Sequence, residues 1–279
     1  MINFNGEIMP DDASPLASNR AFLYGDGVFE TMKVADGRLL FSEDHYFRLM
    51  SAMRILRMEI PMYFSPEFFE NQVLSLVEKA GCAESARVRL TVFRNSGGFY
   101  LPQTREVSFL ATASPLANKV YSIPKSPYEV EIFKDFFIES QLLSTIKSTN
   151  RIINITGSIY ADENGYDNCL LLNGQKNVVE ALQGNVFLLT DGRLVTPPIS
   201  EGCINGVMRK QVLAISKKLG GMEVVEAPIS PFELQKADEL FITNVIKGIQ
   251  PVTRYRKKDY ASDFSARLTE ELNAELQLS

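Results

Sequence analysis

The chain has 279 residues, of which 45% are apolar and 23% are charged, so it can bury a substantial core and is too apolar to be disordered. Its 34 acidic and 29 basic residues give a net charge of −5, which disfavours a general role on nucleic acid or on an anionic membrane. Three widely spaced cysteines and one histidine disfavour a disulfide framework, a zinc site and a multi-histidine metal site. The sequence has no membrane-spanning stretch and no signal-peptide pattern, and we therefore expect a cytoplasmic protein without a resident metal ion.

The first part of the chain predicts a small α+β domain. Its predicted elements are a hairpin over 1–9 turning at Asn5-Gly6, a polar loop over 10–19, a glycine turn and alternating strand over 20–34 that turns back at Asp36-Gly37, a helix capped by Ser42, a helix from Ser65 to about Ala80, and strands over 87–93 and 106–112. Asn-Gly suits the type I′ turn of a hairpin, and serine before a helical run is a common cap. We place this domain at residues 1–118.

The second part of the chain predicts a larger domain of strands and helices. Its predicted elements are a strand over 129–138, a helix over 152–165, strands over 168–172, 178–180, 186–190 and 194–196, a helix over 206–219, a strand over 224–227, a short helix after a capping box at 230–233, a strand over 240–243 and a helix over 264–276. A polar stretch with three prolines precedes it, so we place the interdomain connection at 119–128 and this domain at 129–279.

Three groups in the second half indicate chemistry. Lys147 lies just before an apolar-periodic run and is a candidate buried amine, although a lysine is usually a surface residue. Glu180 ends a short apolar strand, and Gly206 opens a helix whose first N–H groups can bind phosphate. An amine, a carboxylate and a phosphate-binding helix end are the parts needed to hold pyridoxal 5′-phosphate, but their spacing alone does not establish that cofactor.

Five motifs in the same order resemble the fold type IV (class IV) pyridoxal-phosphate enzymes. They are Lys147-Ser148-Thr149-Asn150, Glu180 with Gly184-Asn185-Val186-Phe187, Thr196-Pro197-Pro198, Asn205-Gly206-Val207-Met208-Arg209 and Ala237-Asp238-Glu239-Leu240-Phe241. The resemblance runs from about Phe4 to Val252 and implies the two-domain α+β fold of the D-amino acid aminotransferases, with a small sandwich-like N-terminal domain and a larger barrel-like C-terminal domain. It also implies a homodimer and a small amino-acid-like substrate.

The resemblance assigns roles to individual residues. Lys147 would form the Schiff base and shuttle a proton, Glu180 would pair with the pyridine nitrogen, and Arg48 of the string His45 to Leu49 would bind the cofactor phosphate. The remaining cofactor contacts would be Ile204, Gly206, Val207, Met208, Asn244 and Val245. Phe29 and Glu30 would approach the substrate, and Arg94 is a candidate for its carboxylate.

Within this family, the resemblance favours 4-amino-4-deoxychorismate lyase, which releases pyruvate and 4-aminobenzoate, with an aminotransferase as the alternative. Met208 and Asn244 stand where many aminotransferases carry hydroxyl residues, and both resemble 4-amino-4-deoxychorismate lyase, whose product 4-aminobenzoate feeds folate synthesis. Phe99 occupies the place of that lyase's substrate-binding arginine, which favours the alternative of a branched-chain or D-amino acid aminotransferase. A second alternative is a non-catalytic binding module, against which the retained Lys147, Glu180 and Arg48 argue.

Overall fold

The computed structural model describes residues 1–10 and 18–278, and the chain divides into two compact units. The first unit consists of Met1–Val120 and Ile146–Asn150, and the second consists of Tyr121–Thr145 and the residues from Arg151 onward. The segment that carries Lys147 therefore groups with the first unit, whereas the sequence-based division assigned it to the second domain. The boundaries at 118 and 128 stay a prediction, and most of the predicted loop at 10–19 lies outside the described residues.

The first unit is built on a six-stranded antiparallel sheet with the strand order β2-β1-β6-β5-β3-β4. Its elements are β1 Ile2–Phe4, β2 Glu7–Met9, α1 Arg20–Tyr24, β3 Gly27–Ala35, β4 Arg38–Leu39, α2 Ser42–Ile55, α3 Pro66–Lys79, β5 Ser85–Arg94 and β6 Val107–Pro115. Alternate β3 residues Val28, Met32 and Val34 join one apolar core with residues of α2 and α3. Because strand side chains alternate, the opposite face of the sheet carries Phe29 and its alternates.

The second unit contains two five-stranded sheets, ordered β12-β11-β10-β13-β14 and β16-β15-β7-β8-β9. Its elements are β7 Glu129–Ile138, α4 Ile152–Glu163, β8 Asn168–Asn173, β9 Val178–Ala181, β10 Asn185–Thr190, β11 Arg193–Thr196, α5 Val207–Leu219, β12 Glu223–Glu226, β13 Glu239–Asn244, β14 Gly248–Pro251, β15 Arg254–Tyr255, β16 Lys258–Asp259 and α6 Asp263–Leu276. Both sheets contribute to one core, which includes Leu170 and Leu172 of β8 and Leu240 and Ile242 of β13. Among the described helices, none is both long and apolar enough to cross a membrane.

Most predicted elements are confirmed to within a few residues, and the exceptions are short or locally ambiguous. Residues 20–24 form α1, capped by the Asn19 side chain, where a turn and strand were expected. Ser42 is the first helical residue of α2 and no side chain caps that helix, so the predicted cap is wrong, whereas Ser65 does cap α3. The capping box at 230–233 precedes only one turn of 3-10 helix, and β14, β15 and β16 were not predicted.

A buried carboxylate links β13 to the start of α6. Glu239 accepts hydrogen bonds from the Phe264 N–H at 2.6 Å, the Ser265 N–H at 3.0 Å and the Ser265 hydroxyl at 2.7 Å. We expect Glu239→Ala to lower the free energy of unfolding by about 2–3 kcal/mol, because buried donors would lose their acceptor. Urea denaturation checks this, with Glu239→Gln as the matched control because its amide keeps one acceptor oxygen. An alanine variant as stable as the parent would contradict this role.

Candidate functional site

The segment that carries Lys147 pairs with the beginning of β3. The Phe29 N–H donates to the Lys147 carbonyl at 2.8 Å, and the Thr149 N–H donates to the Gly27 carbonyl at 2.9 Å. Val28 and Ser148 form an antiparallel bridge between these two hydrogen bonds. Phe29 and Lys147 therefore lie directly opposite each other, and opposite residues of an antiparallel pair project from the same face.

Side-chain hydrogen bonds hold this segment against the glycine turn before β3. The Thr149 hydroxyl donates to the Gly25 carbonyl at 2.8 Å, and the Asn150 amide donates to the same oxygen at 3.0 Å. Gly25 has a φ of +65°, and a Cβ at that position would lie 2.3 Å from the Asn150 Oδ1 atom. Glycine is required there, and the segment Lys147-Ser148-Thr149-Asn150 is thus held against the turn Gly25-Asp26-Gly27.

The Lys147 side chain lies over an aromatic ring. Its Nζ atom is 4.6 Å from the Phe29 ring centroid, and the Arg89 guanidinium carbon is 3.6 Å from the same centroid. Both distances are within the range of a cation–π interaction. Arg89 was not predicted as a site residue, although the alternation of β5 places it on the Phe29 face, where it lies opposite Thr31. An amine and a guanidinium are thus held over one buried ring.

Glu30 lies on the opposite face of β3 from Phe29 and interacts with α2. Its carboxylate accepts hydrogen bonds from Arg48 Nε at 2.8 Å and from His45 Nδ1 at 2.7 Å. Burial alone would raise the pKa of Glu30, but Arg48 and His45 lower that pKa to about 2. Consecutive strand residues point to opposite faces, so Phe29 and Glu30 cannot both line one side of the sheet. The predicted substrate contact of Glu30 stays a prediction that this geometry disfavours.

Arg94 is committed to contacts within the first unit. Its guanidinium donates to the Asp26 carboxylate at 3.0 Å through Nε and to the Leu56 carbonyl at 2.8 Å. Arg20 donates to the same carboxylate at 2.8 Å. Burial alone would raise the pKa of Asp26, but the two guanidinium groups hold it below its ordinary value. The predicted role of Arg94 in binding substrate stays a prediction, and these contacts indicate instead that it ties the end of β5 to the turn before β3 and to the end of α2.

In the second unit, Glu180 lies on β9 with its carboxylate against the chain that leads into α5. The carboxylate is buried and accepts a hydrogen bond from the Ile204 N–H at 2.9 Å. The neighbouring Cys203 is also buried, and burial, with a contribution from Glu180, raises the pKa of its thiol to about 12. Cys203 therefore remains a neutral thiol. Glu180 is therefore a buried carboxylate bonded to the chain just before α5.

Helix α5 begins at a site suited to an anion. Gly206 is the residue before its first turn, no side chain caps the helix, and the first turn contains no acidic residue. A Cβ on Gly206 would lie 2.0 Å from the Asn185 Oδ1 atom, so only glycine allows this close packing. The Asn185 amide in turn donates to the Ile204 carbonyl at 2.8 Å. The backbone N–H groups of Val207 and Met208 are thus presented at a helix N-terminus, which attracts a phosphate.

Asn244 closes the turn between β13 and β14. Its side-chain oxygen accepts from the N–H groups of Ile246 at 3.0 Å and Lys247 at 2.9 Å, and its amide donates to the Gln183 carbonyl at 3.2 Å. The Tyr121 hydroxyl donates to the Val245 carbonyl at 2.7 Å. The predicted cofactor contact of Asn244 therefore stays a prediction, because its observed contacts shape the turn.

The chain matches the family Amino-transferase class IV over residues 27–255 and belongs to that family. Enzymes of this family are pyridoxal-phosphate-dependent aminotransferases or lyases, so the chain is an enzyme of that type, and the predicted family and cofactor are confirmed. Each unit carries groups of the kind that hold this cofactor: Lys147 and Arg48 in the first unit, and the buried Glu180 and the uncapped start of α5 in the second.

Relatives with two different activities are similar to this chain. A Methanocaldococcus jannaschii protein classed with the branched-chain-amino-acid aminotransferases is 29% identical over 263 residues, covering 90% of this chain and 86% of the relative. The aminodeoxychorismate lyase of Vibrio harveyi is 26% identical over 272 residues, covering 96% of this chain and 97% of the relative. The branched-chain aminotransferase of Thermoproteus uzoniensis, solved with norvaline, superposes with a TM-score of 0.88 at 22% identity, covering 100% of this chain and 95% of that one. The predicted fold class is thereby confirmed.

Proposed function

We propose that the chain is a 4-amino-4-deoxychorismate lyase that releases pyruvate and 4-aminobenzoate. The observation that supports this substrate is the positive charge on the Phe29 face of the first unit. Arg87 and Arg89 of β5 lie on this face, opposite Lys33 and Thr31 of β3. Lys33 is buried, and burial lowers its pKa to about 8, so the two arginines supply most of this charge. Aminodeoxychorismate carries two carboxylates, and a row of cationic side chains suits such a dianion better than an apolar side chain.

Each site residue has a defined task in this proposal. Bound pyridoxal phosphate supplies the electron sink, Lys147 attaches to the cofactor, and Glu180 keeps the pyridine nitrogen protonated. Once the substrate amine has displaced it from the cofactor, the Lys147 amine would take the proton from the ring carbon that bears the amine. The bond to the enolpyruvyl oxygen would then break, the ring would become aromatic, and the released enolpyruvate would take up a proton to give pyruvate. Arg48 binds a phosphate oxygen, and the first N–H groups of α5 donate to the phosphate.

The reaction products test this proposal. We expect the purified protein with pyridoxal phosphate to convert aminodeoxychorismate into pyruvate and 4-aminobenzoate, measured by a lactate dehydrogenase-coupled assay and by chromatography. The protein should exchange amino groups between common amino acids and 2-oxoglutarate much more slowly. Rapid exchange with no 4-aminobenzoate would replace the lyase with the aminotransferase. No conversion and no cofactor binding would instead indicate a binding module.

An amino acid aminotransferase is the second candidate. The 29% identical relative from M. jannaschii favours it, and so does Phe99, because the lyase motif has an arginine there. Phe99 is exposed and its carbonyl accepts from Arg20 at 2.8 Å, so Arg20 ties the backbone of this loop to α1. A dicarboxylate such as 2-oxoglutarate would also suit the cationic row, which is why both substrates belong in the same assay.

We also propose a homodimer in a reducing, cytoplasmic setting. The α4 face consists of Ile152, Ile155 and Ile159, which lie on one side of the helix and are each more than half exposed. An uncharged apolar face is self-complementary across a two-fold axis, which favours a second copy of this chain as its partner. Sedimentation should give about twice the 31.3 kDa chain mass, and Ile155→Lys should reduce it to one chain.

All three cysteines are free thiols, in keeping with a reducing compartment.

A further inference from the structure

A buried triad of ionisable side chains lies beneath β3 in the first unit. Glu30 is 1% exposed, and both of its oxygens are engaged. Oε1 accepts from Arg48 Nε, and Oε2 accepts from both Arg48 Nη2 and His45 Nδ1. The Arg48–Glu30 contact is bidentate, which fixes the plane of the guanidinium as well as its position.

His45 is fully buried, and its two ring nitrogens differ. Nδ1 is 2.7 Å from Glu30 Oε2, whereas Nε2 is buried without a hydrogen-bond partner among the described residues. Burial lowers the pKa of His45 below its ordinary value, although Glu30 opposes this. The ring is therefore neutral at pH 7, with its proton on Nδ1, where it donates to the carboxylate.

Glu30 and His45 are buried, and only the Arg48 end of the triad reaches toward solvent. Glu30 lies on the helix-facing side of β3, away from Phe29, and it has no oxygen left for a substrate. Its partner Arg48 is the only member of the triad whose side chain has appreciable exposure, at 14%. The buried Glu30 carboxylate fixes the conformation of the partly exposed Arg48 side chain before any anion binds. Arg48 therefore loses less conformational entropy on binding an anion than a freely rotating arginine would.

We infer that Glu30 and His45 are positioning residues: His45 orients the Glu30 carboxylate, and Glu30 holds the Arg48 guanidinium ready for the cofactor phosphate. This inference rests on the proposed role of Arg48 in phosphate binding. It replaces the substrate contact expected for Glu30 and gives the single histidine of the chain a task. Neither residue touches the reacting atoms.

The test compares two ligands that differ only in the phosphate, pyridoxal 5′-phosphate and pyridoxal. Their dissociation constants are measured by absorbance titration of the full-length chain after removal of cofactor. For Glu30→Gln we expect the affinity for pyridoxal phosphate to fall about tenfold and the affinity for pyridoxal to change by less than about twofold. If the Glu30–Arg48 ion pair served only to stabilise the fold, Glu30→Gln would lower the affinity for both ligands equally.

Two substitutions of His45 form a matched pair. His45→Asn keeps an N–H donor where Nδ1 stands, whereas His45→Leu keeps an apolar side chain and removes the donor. We expect the leucine variant to lose about threefold to tenfold in affinity for pyridoxal phosphate and the asparagine variant to stay within about twofold of the parent. Glu43→Gln is the control for removing an acidic residue, because Glu43 is exposed on the same helix.

The outcomes are distinguishable. Equal losses for both ligands in Glu30→Gln, or equal behaviour of the two His45 variants, would overturn the positioning role while leaving the enzyme assignment intact. If Glu30→Gln does not fold, the His45 pair decides. If the parent chain does not discriminate pyridoxal phosphate from pyridoxal, the phosphate role of Arg48 fails, and the positioning role falls with it.

Discussion

Replacing Lys147 by alanine is expected to reduce turnover by at least about a thousandfold, because one substitution removes both the covalent attachment and the proton-transferring amine. Borohydride reduction of the parent enzyme followed by peptide mass spectrometry should find the pyridoxyl group on Lys147. The variant should retain the fold, since Lys147 pairs with β3 through its backbone carbonyl, which alanine also supplies.

Lys79→Ala is the matched control for Lys147→Ala. Lys79 is exposed at the end of α3 in the same unit, and its loss should leave turnover unchanged. Substantial activity in Lys147→Ala, or a pyridoxyl group on another lysine, would show that the amine over the Phe29 ring is not the catalytic base.

Glu180→Gln is expected to slow turnover by about 10²- to 10³-fold while weakening cofactor affinity by less than about tenfold. The reason is electrostatic: a neutral amide cannot hold a proton on the pyridine nitrogen, so the electron sink weakens even though the cofactor remains bound. The amide oxygen can still accept from the Ile204 N–H, so the local structure should persist.

The comparison for Glu180→Gln is Glu223→Gln, an exposed carboxylate on β12 of the same unit. Turnover and the cofactor dissociation constant are measured on both variants. Unchanged turnover in Glu180→Gln would remove this carboxylate from the site, and an equal loss of turnover and affinity would make it a binding group only.

Much of the fold could be predicted from the sequence, because strand alternation and helix-capping signals are local. The helix that starts after Ser65 and the strand over 129–138 were predicted to within a residue. The short strands β15 and β16 were not, since each has only two residues and their pairing partners are remote in sequence or follow a brief turn. Such elements are fixed by tertiary contacts rather than by propensity.

The candidate site could be predicted only in part from the sequence. The placement of Phe29 and Glu30 on opposite faces follows from the two-residue period of β3, so this separation could have been found from sequence. The engagement of Arg94 could not, because its partners Asp26 and Leu56 are brought to it only by the folded chain. His45 gave no signal of its own, since a lone histidine on a helix becomes informative only when its buried partner is known.

Pairing of residues 146–150 with β3 has a consequence for dissecting this protein. The chain leaves the second unit before Ile146 and returns to it after Asn150, so no single cut separates the two units. A fragment that begins at Tyr121 would carry Lys147 away from the strand edge that holds it. The two units are therefore expected to be inherited, expressed and exchanged between relatives as one indivisible block.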